Sequence, residues 1–140
     1  MIRKIGALFT GIAVTALCVA VDAADEKKPP TIKEVMKAVA AKDTGFCGQC
    51  AAAAKAEKWE DAQKYAKKLA ECAAALQKNK CPLGDAESWA KLSKEFADQA
   101  EAVSKAAESK DTAKFNDALK TFTGSCKACH EAHKAKKKDK

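Results

Sequence analysis

The chain has 140 residues, of which 32% are charged and only 6% aromatic, and its formal net charge is +7. A chain of this length holds one hydrophobic core and is too short for two comfortable ones, so one domain is the working assumption. Apolar residues recur at three- and four-residue steps and nothing alternates like a strand, which predicts an all-α protein.

The first residues have the order of an export signal: Arg3 and Lys4 are basic, Ile5 to Ala20 is almost uninterrupted apolar sequence, and small residues surround Asp22. Cleavage after Ala23 places Val21 and Ala23 at the two positions a signal peptidase reads. The apolar run falls short of the roughly 20 residues that span a bilayer. Leu17 stands before Cys18, where a lipoprotein signal has a small residue. Residues 1–23 therefore read as a removable signal, and residues 24–140 as one exported domain without membrane insertion. Nucleic acid is a poor partner for such a protein. The basic tail from about Lys134, through Lys136, Lys137, Lys138 and Lys140, reads as solvated and frayed, with docking to an acidic redox partner as its functional alternative.

In the mature chain, helix formation is predicted from Thr31, which follows Pro29 and Pro30 and makes a T-x-x-E capping pattern with Glu34. Ile32, Val35, Met36 and Val39 share one face of this helix, and Asp43, Thr44 and Gly45 interrupt it. A second helix is predicted from about Glu57 to Gln77, with Ala62, Tyr65, Leu69, Cys72 and Leu76 as its stripe. Pro82 and Gly84 mark the boundary to a third, capped near Asp85 and presenting Trp89, Leu92, Phe96 and Val103. A fourth starts near Asp111 and presents Phe115, Leu119, Phe122, Cys126 and Cys129. Four amphipathic helices with short connections pack most simply as an antiparallel up-down-up-down four-helix bundle. Alanine fills many inward positions, so a large apolar cofactor would supply core volume that the side chains lack.

Cys126-Lys127-Ala128-Cys129-His130 is a complete C-x-x-C-H. Two cysteines three residues apart lie on one helical face and can form thioether bonds to the two vinyl groups of a haem, and the next residue, His130, can donate an imidazole nitrogen as proximal iron ligand. A C-x-x-C alone also fits a disulfide, a redox dithiol or half a zinc site. The following histidine, the export signal and the place near the C-terminus favour one covalent haem c.

The segment from Phe115 to Lys134, ending CKACHEAHK, resembles the last helix of the cytochrome c-prime superfamily and its low-spin relatives. The resemblance extends to the four-helix pattern over about the whole mature chain, with the haem site as its one specific motif. It implies a periplasmic four-helix bundle, often dimeric, with haem near the C-terminal helix. The chain departs from the usual pattern after the haem-binding histidine, where an aromatic residue and then arginine are replaced by His133 and Lys134. In low-spin members a methionine early in the first helix supplies the distal thioether, which points to Met36. His133 follows His130 by about one helical turn on the same element and so cannot serve the opposite haem face within one subunit. Otherwise Met36 is a core residue and the iron is five-coordinate or bound by a lysine or thiolate.

Of the seven cysteines, Cys47, Cys50, Cys72 and Cys81 remain once Cys18 and the motif pair are set aside. In an oxidising compartment an even number implies disulfides, and local bridges, Cys47 with Cys50 and Cys72 with Cys81, are the expected pairing. Ala51 follows Cys50, so no second haem motif is present. Four thiolates could instead bind zinc or cuprous copper, which requires free thiols. The sequence thus predicts a periplasmic monohaem electron carrier with no catalytic turnover, serving periplasmic or membrane-bound redox proteins. A gas-binding cytochrome for nitric oxide or carbon monoxide is the alternative of the same class, and a cysteine-based metal-binding bundle the alternative of another.

Overall fold

The computed structural model describes residues 28–135. The export signal, its cleavage site and the lysines beyond Ala135 lie outside the described residues. Five α-helices and no strand occur among the described residues: α1 (Ile32–Ala40), α2 (Phe46–Lys55), α3 (Trp59–Leu76), α4 (Ala86–Glu108) and α5 (Thr112–His133).

Helix α1 begins as its sequence requires. The Thr31 hydroxyl accepts from the Glu34 amide at 3.3 Å while the Glu34 carboxylate accepts from the Thr31 amide at 2.8 Å, so two of the amides that a helix start leaves unpaired are satisfied reciprocally. Val35 and Val39 are buried and Met36 is half-buried. The chain then turns through residues 42–44 and restarts at Gly45. This glycine is demanded by crowding: a Cβ there would stand 2.7 Å from Val39 O, Ala41 N and Ala41 O.

The segment after Gly45 is where the expected architecture needs correction, because it forms α2, a helix that the four-helix reading omitted. Its hydrophobic periodicity is weak, and its helicity follows from four successive strong helix formers, Ala51 to Ala54. Cys50, Ala53 and Ala54 bury its inner side. The chain reverses at Glu57, in the left-handed region with φ 58°, and α3 therefore starts at Trp59, two residues later than expected. Ala62, Ala66, Leu69, Ala73 and Leu76 form the buried stripe of α3, with Tyr65 and Cys72 half-buried at its margins. Asp85 caps α4 by accepting from the Ser88 amide at 2.6 Å, and Asp111 caps α5 by accepting from the Lys114 amide at 3.1 Å.

Helix α3 packs chiefly on α4 and α2, α4 packs on α5, and α2 also touches α5, while α1 lies on α3 and α2. Helices α3 and α4 run antiparallel, as do α4 and α5. Gln63 at the start of α3 donates to Ala107 O at the end of α4, 3.3 Å away, and Ser88 at the start of α4 meets His133 at the end of α5. The Lys68 ammonium lies 5.6 Å from the ring centroid of Phe46, so the start of α2 faces the later turns of α3. Phe96 and Phe122 stack across α4 and α5 at 4.7 Å, and Trp59 meets Phe115 edge-on at 6.0 Å. No helix among the described residues is long and apolar enough to cross a membrane.

Candidate functional site

The C-x-x-C-H motif occupies the last turns of α5, continuous helix that starts at the Asp111 cap. Helical spacing puts Cys126, Cys129, His130 and His133 along one side of α5. Their environments differ: Cys129 is buried, Cys126 half-buried, His130 exposed and His133 only 4% exposed.

Two adjoining cavities line this side of α5. One, of about 430 Å³, is lined by Cys129 and His130 of α5, Ile32 and Met36 of α1, and Trp89 of α4. The other, of about 570 Å³, is lined by Cys126 and Phe122 of α5, Val39 of α1, and Cys47 and Gly48 of α2. Ala40 contributes to both walls, so the two form a cleft between α5 and the α1–α2 segment. Met36 and His130, remote in sequence, thus share one cavity from different elements. Each cavity falls within the range of about 300–1,000 Å³ usual for small-molecule and cofactor sites. A pair of thiols, an exposed imidazole, a facing thioether and an otherwise apolar lining fit a covalently held haem, with Cys126 and Cys129 as tethers and His130 and Met36 as the candidate iron ligands.

His133 has a different environment. Its Nδ1–H donates to Leu83 O at 2.6 Å, and its Nε2 accepts from the Ser88 hydroxyl at 3.2 Å. A carbonyl can only accept, which assigns the ring proton to Nδ1. Trp89 packs edge-on against the ring at 5.4 Å. The spacing of His133 from His130 hints at this side of the helix, but its partners lie some fifty positions earlier, and no local signal announces them.

All six cysteines among the described residues are unbridged. Neither Cys47–Cys50 nor Cys72–Cys81, the expected local pairs, is formed. The Cys50 thiol is buried and donates to Cys47 O at 3.2 Å. The Cys81 thiol turns onto Leu83 O at 3.2 Å, within the turn before α4, and not towards α3 where Cys72 lies. Burial pushes the Cys50 thiol up to about 12, with the neighbouring Cys47 adding to the effect. Cys47 and Cys126 are also raised by burial, and Cys47 is raised further by the charge Cys126 would carry across the cleft. Burial likewise raises Cys129 and Cys72, with added contributions from Cys126 and Glu71 respectively. No group of three or more His, Cys, Asp or Glu side chains among the described residues is arranged to hold a metal ion.

An all-helical chain with C-x-x-C-H on its last helix, beside an apolar cleft, has the features expected of a helical haem c-type cytochrome. The model of the family described as Cytochrome C' matches residues 82–134, which contain α4, α5 and the turn before them, and supports the cytochrome c-prime superfamily as the family of this chain. That family implies covalently bound haem c. No curated protein and no solved structure matches the chain.

Proposed function

We propose that this chain is a periplasmic electron carrier holding one haem, with Cys126 and Cys129 as its tethers, His130 as proximal ligand and Met36 as distal ligand. The observation that carries this reading is the shared cavity of Met36 and His130, with Cys129 beside them. In this reading α1 and α2 together form the first member of an up-down-up-down bundle, broken at Gly45, and α3, α4 and α5 are the other three.

When bound, the haem supplies a one-electron couple at iron, whose potential a Met/His ligand pair raises. The chain's own residues bind, orient and shield it. Ile32, Ala40 and Trp89 exclude water from the cavity, and the thioether of Met36 faces the cavity from α1. No nucleophile or acid–base pair is required, because electron carriage involves no catalytic turnover by the protein. Lys33 and Lys134 also line this cavity, and their charge suits docking to an acidic surface on a periplasmic or membrane-bound redox protein.

The test is the optical spectrum, oxidised and reduced, of exported wild type and Met36→Ala, with covalent attachment followed by haem stain on a denaturing gel. The expected result is a stained band in both, a low-spin reduced spectrum in wild type, and conversion to high spin in the variant. A high-spin wild-type spectrum that ignores the substitution would move the function to binding of nitric oxide or carbon monoxide. Absence of stain after export and maturation would end the cytochrome reading.

A further inference from the structure

The wall of the cavity beyond His130 is held by a connected set of contacts centred on His133. The Leu83 carbonyl accepts from His133 Nδ1 at 2.6 Å and from the Cys81 thiol at 3.2 Å, so two donors converge on one loop oxygen. Gly84 follows in the left-handed region with φ 84°, and a Cβ there would stand 3.0 Å from Ala132 O, so the loop approaches α5 as closely as a residue without a side chain permits. From His133 the contacts continue outward. Trp89 packs edge-on against the imidazole, its indole N–H donates to Asn79 O at 3.0 Å, and the Asn79 side-chain amide donates to Pro30 O at 3.0 Å. Pro30 immediately precedes the Thr31 cap of α1, the helix that carries Met36. The end of α5, the start of α4, the end of α3 and the entry to α1 are therefore joined through one buried ring.

We infer that His133 is a positioning residue for the haem cleft: it clamps the loop Cys81–Gly84 to α5 and, through Trp89 and Asn79, fixes the α1 wall opposite His130. The inference rests on the haem reading of the cleft. It separates the two neighbouring histidines by role: both line the cavity, but His130 is exposed and without a side-chain hydrogen bond among the described residues, while the buried His133 is bonded to the loop and to Ser88. Because both ring nitrogens of His133 are engaged, this side chain is committed to the protein and does not serve as a ligand.

Two substitutions separate positioning from plain packing. His133→Phe keeps the ring and its edge contact with Trp89 but removes both hydrogen bonds, while His133→Asn returns an N–H donor near the place of Nδ1. On the haem-loaded protein, amide hydrogen exchange at Ser88 and Trp89, whose N–H groups donate to Asp85 at the end of the loop, and the rate of carbon monoxide binding to the reduced form are measured, with the haem stain recorded in parallel. In His133→Phe, exchange at these amides should accelerate by about tenfold, the effect of losing a buried hydrogen bond, and carbon monoxide should bind faster by a similar factor. His133→Asn should restore most of both. Ser88→Ala, which removes only the Nε2 partner, should move both readouts in the same direction by less, and it serves if His133→Phe fails to fold. Amide exchange and carbon monoxide binding equal to wild type in His133→Phe, or in Ser88→Ala where that variant stands in, would overturn the clamp even if melting temperature falls. An unstained wild type would instead remove the haem reading, and the exchange data alone would still report on the clamp.

Discussion

The α3–α4 seam and the cleft beside α5 are built from opposite materials. Along α3 and α4, Ala62, Ala66, Leu69, Ala73, Ala100, Val103 and Ala107 are completely buried, and small side chains let the helices close on each other. Beside α5 the facing residues include Met36, Trp89 and the motif thiols, and cavities of about 430 and 570 Å³ remain between the walls. One seam is completed by the polypeptide itself. The other leaves space between apolar walls, which on the proposed reading a flat cofactor completes.

Three variants test how far these regions are independent. The largest expected effect is on the cleft: Cys126→Ser combined with Cys129→Ser should abolish covalent haem stain entirely while leaving the far-ultraviolet circular dichroism of the apoprotein unchanged. A loss of helicity in that apoprotein would show that the motif side is part of the autonomous core. On the closed seam, Leu69→Ala should destabilise the protein by about 2–5 kcal/mol through lost burial and a residual cavity. Urea unfolding should return the same loss with and without haem, and a loss confined to one form would break the independence of the two regions. The smallest effect is expected at the start of α1. The Glu34 carboxyl is held below its ordinary value, first by the Thr31 amide and then by the Thr31 hydroxyl. A group whose value is depressed by folding stabilises the folded state above the ordinary carboxylate range, and that contribution is lost as pH falls through the folded-state value. Melting curves of wild type and Glu34→Gln should therefore differ slightly at neutral pH and converge in acid; a difference that persists in strong acid would exclude the capping carboxylate as its source.

Much of this arrangement was legible in the sequence, for identifiable reasons. The Thr31–Glu34 box, the Asp85 and Asp111 caps and the stripes of α3, α4 and α5 all depend on residues within a few positions of one another, and each stands where local rules place it. Helix α2 was not legible from periodicity, because its helicity comes from alanine propensity with only a faint apolar face. The motif marked α5 as the candidate haem helix, and Met36, singled out on its helical face, lines the same cavity as His130. Two further relations were hidden: Cys47 lies in the cleft with Cys126, and His133 holds Leu83 and Ser88. Both arise from contacts between residues far apart in the chain, which short-range patterns do not encode. The unbridged state of Cys81 has the same origin, since its thiol is engaged by a turn whose shape depends on Gly84 meeting α5.

The corner at Gly45 sets a limit on how this protein can vary. Backbone atoms of Val39 and Ala41 already fill the place of its missing Cβ, so even alanine would force the chain apart there. Met36 lies before this corner and Cys47 after it, so one added methyl group would re-aim both contributors to the cleft at once. In a saturating mutational library, position 45 should tolerate glycine alone although it lies far along the chain from the haem motif.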